Sequence, residues 1–411
     1  MSLCRFLPIP SDRMGILWSL LTIDDSVILE YGPAGTTHYS VGFFGKMNLG
    51  KENRLFTTHM SEDDVIMGNT ERLEDAIREV DEVFSPKVMF IVASSVSSVI
   101  GTDIRGISNQ MQPEVKAKLI ALDEGGFKGD YSAGQREITK QIVKALVEEP
   151  KDNQDNKNNK KFNIIGASMG SYRIESDINE LSKLMFEAFD YSLHASLFTE
   201  TSIEQIQTMS EAQVNLVIGE SGLETAEYLK EKFNIPYVYA CPYGYKGTLN
   251  WLEQIASVLS AEINPLVLNE LNEKIAESSH YPMFLRMMRS NQPKAYIYGD
   301  YDNAKGIAKF LEDMACEVQV ECKHSLKGLD SDNISYMPVE KDRINTMKAL
   351  SKTFLLADDI SISLADETNT KIRFTLPFLK GAVISTHMPF MGISGANFIR
   401  EQYEEYIGTL S

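Results

Sequence analysis

Ser26-Val27-Ile28-Leu29-Glu30-Tyr31-Gly32-Pro33-Ala34-Gly35-Thr36-Thr37-His38-Tyr39-Ser40 is the stretch on which the reading of this chain turns. Its first six residues form a short, β-prone run closed by Gly32-Pro33, the pattern of a strand that ends in a turn. In open α/β sheets ligands bind at the carboxyl ends of strands, so the turn is expected at a functional edge. Upstream, Ser11 is placed to cap a helix through Gly15, Trp18 and Leu21, which lets Cys4 fold back beside the turn.

Outward from this stretch, composition sets limits. The chain has 411 residues, 43% of them apolar, which is too long for one ordinary core. Strands alternating with helices of roughly 10 to 15 residues imply parallel sheets with helices on both faces. Such strands are expected at Lys87–Ala93, Phe162–Gly166, Val214–Gly219, Ile235–Ala240 and from Lys294 to Gly299. The run from Lys151 to Lys161 holds no apolar residue and reads as a linker. Three domains are expected: 1–150, 160–285 and 290–411, the last with a C-terminal segment packing back on the others.

Several function classes are disfavoured. The formal charge of −18 argues against nucleic acid and anionic membrane as partners, because both are bound through clustered Lys and Arg. A basic protein partner is compatible with it. Apolar runs stay below the roughly 18 residues that span a bilayer, and Ile16–Leu21 lacks a signal peptide's basic start, so a cytoplasmic protein is expected. The four cysteines, at positions 4, 241, 316 and 322, show no CxxC pairing and no disulfide framework. Cys316 and Cys322 read as packing residues. No GxxxxGK[ST] loop occurs, so any ATP is bound by another polypeptide.

Further landmarks follow in order: Asn53 to Ile77 with its Glu62-Asp63-Asp64 triplet in a solvated turn; Ser94 to Ile104 after the second strand; and the glycine-rich loop from Gly125 to Gly134. Gly244 to Thr248, Lys294 to Gly306 and Ile384 to Ala396 complete the series. Ser176 or Asp177 is expected to cap the first helix of the second domain, and Asp300 and Asp302 the helix that follows them.

Taken together, these landmarks resemble the nitrogenase component 1 family. In that family one cysteine, a GxxW helix and a GPxGC turn build an iron-sulfur site at a subunit interface. The resemblance implies three Rossmann-like domains with parallel sheets flanked by helices, around a central cleft. It places Gly32 and Gly35 in the cluster turn, the second cluster cysteine at Thr36 and the third at Ser95. Hydroxyls are poor iron ligands beside thiolate, which leaves Cys4 as the expected metal ligand. Two further family positions, a cysteine and a histidine that hold the cofactor of molybdenum nitrogenase, fall on Gly219 and Met391, so dinitrogen reduction is not expected. Loss of the side chain at Gly219 is expected to clear volume in the cleft, and Cys241 and His387 are the nearby candidates to face it.

By the same resemblance, members work as paired subunits and receive electrons from a separate ATP-binding iron-sulfur reductase. Some share a [4Fe-4S] cluster to which one chain gives a single ligand. This chain then reads as that partner, paired with a paralogous subunit or a second copy of itself, with a tetrapyrrole or metallocluster as the cleft's expected occupant. Two alternatives stay open: a non-catalytic scaffold for metallocluster or cofactor assembly, and a cluster-free structural paralogue.

Overall fold

The computed structural model describes residues 9–47, 54–123, 125–150, 159–281, 283, 285, 292–377 and 387–410. Cys4 lies outside the described residues, as does most of the expected linker. The chain divides into two compact units, residues 10–150 with 197–210 and residues 1–9 with 151–196 and 211–411.

The smaller unit is built on a four-stranded sheet in the order Leu55–Thr57, Ser26–Tyr31, Val88–Ala93, Lys118–Leu122. All its pairings are parallel. The two central strands are buried along their whole length, which is why each reads as a continuous apolar run rather than an alternating one. Register pairs Tyr31 with Ala93, so the turn at Gly32 and the serines after Ala93 emerge side by side at the carboxyl edge.

The helix Asp12–Leu20 is buried along its whole length and packs closely on the helix Tyr131–Leu146. A Cβ at Gly15 would stand 2.2 Å from the Tyr131 carbonyl oxygen, and one at Gly134 would stand 2.0 Å from that of Asp12. Backbone meets backbone there, and no larger residue fits. Ser11 sits at the N-cap position without a capping side-chain bond and instead bridges to Asp130. The Glu62-Asp63-Asp64 triplet opens the helix Glu62–Met67 rather than a solvated turn, with Asp64 buried in a capping box with Ser61 and paired to Arg72 at 2.8 Å.

In the larger unit there are two parallel sheets. One runs Tyr237–Tyr239, Val214–Val217, Lys161–Ile165, Ser192–Ser196; the other runs Ile334–Tyr336, Glu317–Cys322, Lys294–Gly299, Phe354–Ala357, Thr370–Arg373. This mixed α/β architecture of parallel sheets flanked by helices is the one the sequence implies.

Buried carboxylates stitch the parts of this unit together. Asp302, in the first turn of the helix Tyr301–Asp313, does not cap that helix, whose first N–H donates to His324 Nε2 at 3.2 Å; it accepts the Glu220 N–H at 2.7 Å and the Tyr239 hydroxyl at 2.8 Å. Asp177, within the helix Ile174–Phe189, accepts the N–H groups of Phe390 at 2.6 Å and Met391 at 2.9 Å. Glu180, one turn on, accepts both the N–H and the hydroxyl of Ser394, at 2.9 and 2.8 Å. The helix Gly392–Gly408 is thus tied at its start to a helix more than two hundred residues earlier. Sequence reading gave Asp177, Asp300 and Asp302 the task of capping their own helices. Asp177 and Asp302 serve distant backbone instead, accepting N–H groups that the fold brings beside them, and Asp300 makes no capping bond.

Burial raises the Asp177 carboxyl to about 7, against the pull of its two N–H donors and Arg173. A folded-state pKa above the unfolded value means stability that is fully present below the unfolded pKa and is lost as pH rises through the folded one. Wild type is therefore expected to lose up to about 4 kcal/mol from this group between pH 4 and pH 8. Asp177→Asn, which keeps an acceptor oxygen, should flatten that slope in urea unfolding at several pH values; an unchanged slope would contradict the assignment. In the smaller unit, Gly15→Ala should lower the unfolding free energy by about 1–3 kcal/mol through overpacking, and with it the urea midpoint. An unaltered midpoint would show that the helix pair is free to spread.

Candidate functional site

At the carboxyl edge of the smaller unit's sheet, Gly32 is required by contact: a Cβ there would lie 2.4 Å from Ser94 Cβ. Its carbonyl accepts from Met60 N at 2.9 Å and Thr57 Oγ1 at 3.0 Å, which pins the turn to the neighbouring strand end. The helix Ala34–Lys46 begins inside the turn, with Pro33 at its N-cap and no side chain capping it. A Cβ at Gly35 would meet nothing within 4 Å among the described residues.

Both hydroxyls at the expected ligand positions are engaged. Thr36 Oγ1 donates to the Pro33 carbonyl at 2.9 Å and lies 3.4 Å from Glu30 Oε1. Ser95 Oγ donates to the Gly125 carbonyl at 2.7 Å. A hydroxyl that spends its proton on a carbonyl is not an alkoxide ligand. Beneath them, Glu30 has no exposed surface; it is ion-paired to Arg13 and accepts the Thr37 hydroxyl at 2.8 Å. Arg13 Nε, also buried, has no hydrogen-bond partner among the described residues.

These observations test the fit of an iron-sulfur group. Among the described residues no cluster of three or more His, Cys, Asp or Glu is arranged to hold a metal. The described residues do not by themselves fit such a cluster. An uncapped helix start, an orphaned cationic donor and space at Gly35 do fit an anionic group whose other ligands come from elsewhere.

A second set of residues converges in the larger unit. Gly219 follows the strand Val214–Val217, and a Cβ there would stand 2.4 Å from the Gly166 carbonyl oxygen. The volume that sequence reading expected to be cleared is filled by backbone. Cys241 donates its thiol to the Ile218 carbonyl at 3.1 Å, and burial pushes its pKa well above the ordinary value, so it is a protonated thiol rather than a ready thiolate. Next to it, Gly392 N donates to the Pro242 carbonyl at 2.8 Å, which brings Met391 to the same edge. Met391 itself is buried, its N–H held by Asp177. His387 is exposed on the approach to this segment.

Gly219, Cys241 and Met391 are therefore gathered, and two groups sequence reading missed stand with them. The Asp302 carboxyl is raised to about 6 by burial, opposed by the Tyr239 hydroxyl that donates to it. Tyr239 is raised above its ordinary value by burial and by that carboxylate. The edge thus holds a carboxyl that gains and loses a proton near neutrality, beside a hydroxyl. The Gly-Asp turn after a strand was a visible signal for Asp302; nothing local marked Tyr239.

Comparison with known proteins bears on the family and the fold. A family profile described as "Nitrogenase component 1 type Oxidoreductase" matches residues 11–404. A light-independent protochlorophyllide reductase polypeptide of Heliobacterium modesticaldum is 23% identical over 290 residues, 70% of this chain and 55% of that protein. The nitrogenase molybdenum-iron protein alpha chain of Clostridium pasteurianum is 27% identical over 264 residues, 62% of this chain and 47% of that one. The chain thus spans about half the length of these curated relatives. Nitrogenase iron-molybdenum cofactor biosynthesis protein NifE of Klebsiella pneumoniae is 26% identical over 387 residues, 88% of this chain and 81% of that protein. A solved structure described as "Nitrogenase Cp1 at pH 6.5" superposes with a TM-score of 0.79 over 99% of this chain and 94% of its own, at 16% identity, a likeness of fold. The chain belongs to the nitrogenase component 1 type oxidoreductase family.

Proposed function

We propose that this chain is one subunit of a nitrogenase-like, ATP-dependent two-component reductase and gives a single thiolate, Cys4, to a [4Fe-4S] cluster shared with a partner subunit. The observation that carries this reading is the engagement of Thr36 and Ser95 in local hydrogen bonds, which leaves the family's opening cysteine as this chain's ligand. When bound, such a cluster stores and passes single electrons. ATP and the first electron belong to a separate iron-sulfur reductase, since this sequence has no phosphate loop of its own.

This chain's residues have defined tasks in that scheme. Glu30 and Arg13 hold the turn that presents the cluster, and the uncapped helix at Ala34 offers backbone N–H groups to an anionic neighbour. In the larger unit, Gly219, Cys241 and Met391 wall an edge where a tetrapyrrole or metallocluster would bind. His387, on the exposed approach, is a further contact for it. Asp302, protonated in part near neutral pH and bonded to Tyr239, can hand a proton to a group that has gained an electron. With no side chain at Gly219 and a thioether at Met391, the ligands of a nitrogenase-type cofactor are missing, and the reduction is not that of dinitrogen.

The partner, a paralogous subunit or a second copy, would cover the carboxyl edge of the smaller unit's sheet. The connections after its four strands expose large apolar side chains, among them Ile66 (77%), Met67 (79%), Val99 (71%) and Phe127 (67%). Exposed apolar side chains gathered at one edge mark an interaction surface. The domains at 1–150, 160–285 and 290–411 and a cytoplasmic site of action belong to the same reading; no helix among the described residues is long and apolar enough to cross a membrane. A second reading, assembly scaffold, is favoured by the match to a cofactor biosynthesis protein over most of its length.

Anaerobic purification of the chain alone and with its candidate partner, with iron and acid-labile sulfide measured for wild type and Cys4→Ala, tests the first reading. Iron that appears with the partner and disappears in Cys4→Ala is the expected result; iron absent from every preparation would leave the scaffold and cluster-free alternatives. Ile66→Glu with Met67→Glu should leave the isolated chain folded and weaken assembly at least tenfold by light scattering after size exclusion. Unchanged assembly would remove this face from the interface.

A further inference from the structure

Gly166 and Gly219 follow neighbouring strands of the second sheet, Lys161–Ile165 and Val214–Val217, and their backbones cross in contact. A Cβ on either would stand 2.4 Å from the carbonyl oxygen of the other, and one on Gly222 would stand 2.7 Å from Gly166 N. Gly166 also has a φ of +85°, where glycine is favoured over residues with a side chain. Three bonds to separate segments hold the turn. Ile218 N–H donates to the Ile165 carbonyl at 3.0 Å, the Cys241 thiol donates to the Ile218 carbonyl at 3.1 Å, and Glu220 N–H donates to Asp302 at 2.7 Å. A side chain at position 219 would therefore displace backbone and strain these bonds together. This is the position at which the family resemblance puts a cofactor-binding cysteine, and at the second such position Met391 is buried and has no imidazole. Cys241 does not replace the missing ligand, since its thiol proton is directed at the Ile218 carbonyl.

Deepening the proposed function at this edge, we infer that the family's metallocluster does not fit this chain there: the ligand position is closed by the Gly166–Gly219 crossing, and not merely emptied of its cysteine. An emptied position is restored by one substitution, whereas a closed one is not. Of the two occupants named for the edge, a tetrapyrrole needs no bond from a protein atom at 219, and it is the one that remains. The class of occupant rests on the reductase reading, while the crossing stands on geometry alone.

The test compares wild type, Gly219→Ala, Gly219→Cys and, as a control, Gly247→Ala in the helix Gly244–Leu259, where a Cβ would meet nothing nearer than 3.8 Å. Each chain is unfolded in urea, and a second portion is incubated anaerobically with isolated iron-molybdenum cofactor, gel-filtered and assayed for molybdenum. Both Gly219 variants should lower the urea midpoint by about 0.5 M or more, the control should not, and no preparation should retain molybdenum. Gly219 variants with the wild-type midpoint would overturn the closed crossing. One molybdenum per chain in Gly219→Cys, or in wild type and still in Cys4→Ala, would overturn the exclusion. If Gly219→Cys fails to fold, Gly219→Ala decides the crossing and wild type decides the exclusion. The iron that tests Cys4 is measured separately, so failure here leaves the shared-cluster reading standing, and failure of that reading leaves the crossing standing.

Discussion

A carboxylate with no exposed surface must be paired, and Glu30 finds its partners within the first forty residues of the chain. Arg13 neutralises it, Thr37 donates to one oxygen, Thr36 approaches the other, and its own strand lies in the centre of the sheet. Removing one partner of such a pair leaves an uncompensated charge that costs about 3–5 kcal/mol. The turn, the buried helix before it and the start of the helix after it are therefore set by one constraint. It is also a constraint that metal–thiolate bonds do not supply, so threonine at position 36 is a working part of this turn and not simply an absent cysteine.

The larger unit repeats the device with different geometry. Asp177, Asp302 and Glu180 are all committed to backbone N–H groups far away in the sequence, and together they hold the last helix and the third sheet's first helix against the second sheet. Charge is costly to bury, and at Asp177 and Asp302 burial raises the carboxyl pKa toward the neutral range. At Asp302 that property coincides with the edge where Gly219, Cys241 and Met391 meet. On the proposed reading a structural tie and a proton donor share that site, and the Tyr239 hydroxyl orients the carboxyl.

Much of this was legible in the sequence. The strands Ser26–Tyr31 and Lys294–Gly299 fall where local pattern puts them, since buried parallel strands declare themselves as apolar runs closed by turn residues. The positions matching family ligands were legible as well. What those residues do instead was not: that Gly219 packs on Gly166, or that Asp177 serves Met391, depends on contacts between segments far apart in sequence. Aspartates near helix starts look like caps by proximity. The fold decides otherwise by bringing distant N–H groups against these carboxylates, and no local window carries that information. Glu30 shows the same limit. It stands in an apolar strand with nothing nearby in sequence to mark its partner, and only the fold brings Arg13 against it.

On the proposed reading, a chain that retains the family's architecture while building its turn from an internal ion pair is the minor contributor at a shared metal site. Electron cryomicroscopy of the anaerobically isolated two-subunit complex addresses that claim most directly. The account predicts strong metal density bridging Cys4 Sγ to ligands of the partner subunit, with the Thr36 and Ser95 hydroxyls still turned to Pro33 and Gly125. Cys4 packed in apolar surroundings with no metal beside it, in a complex that is otherwise intact, would contradict it.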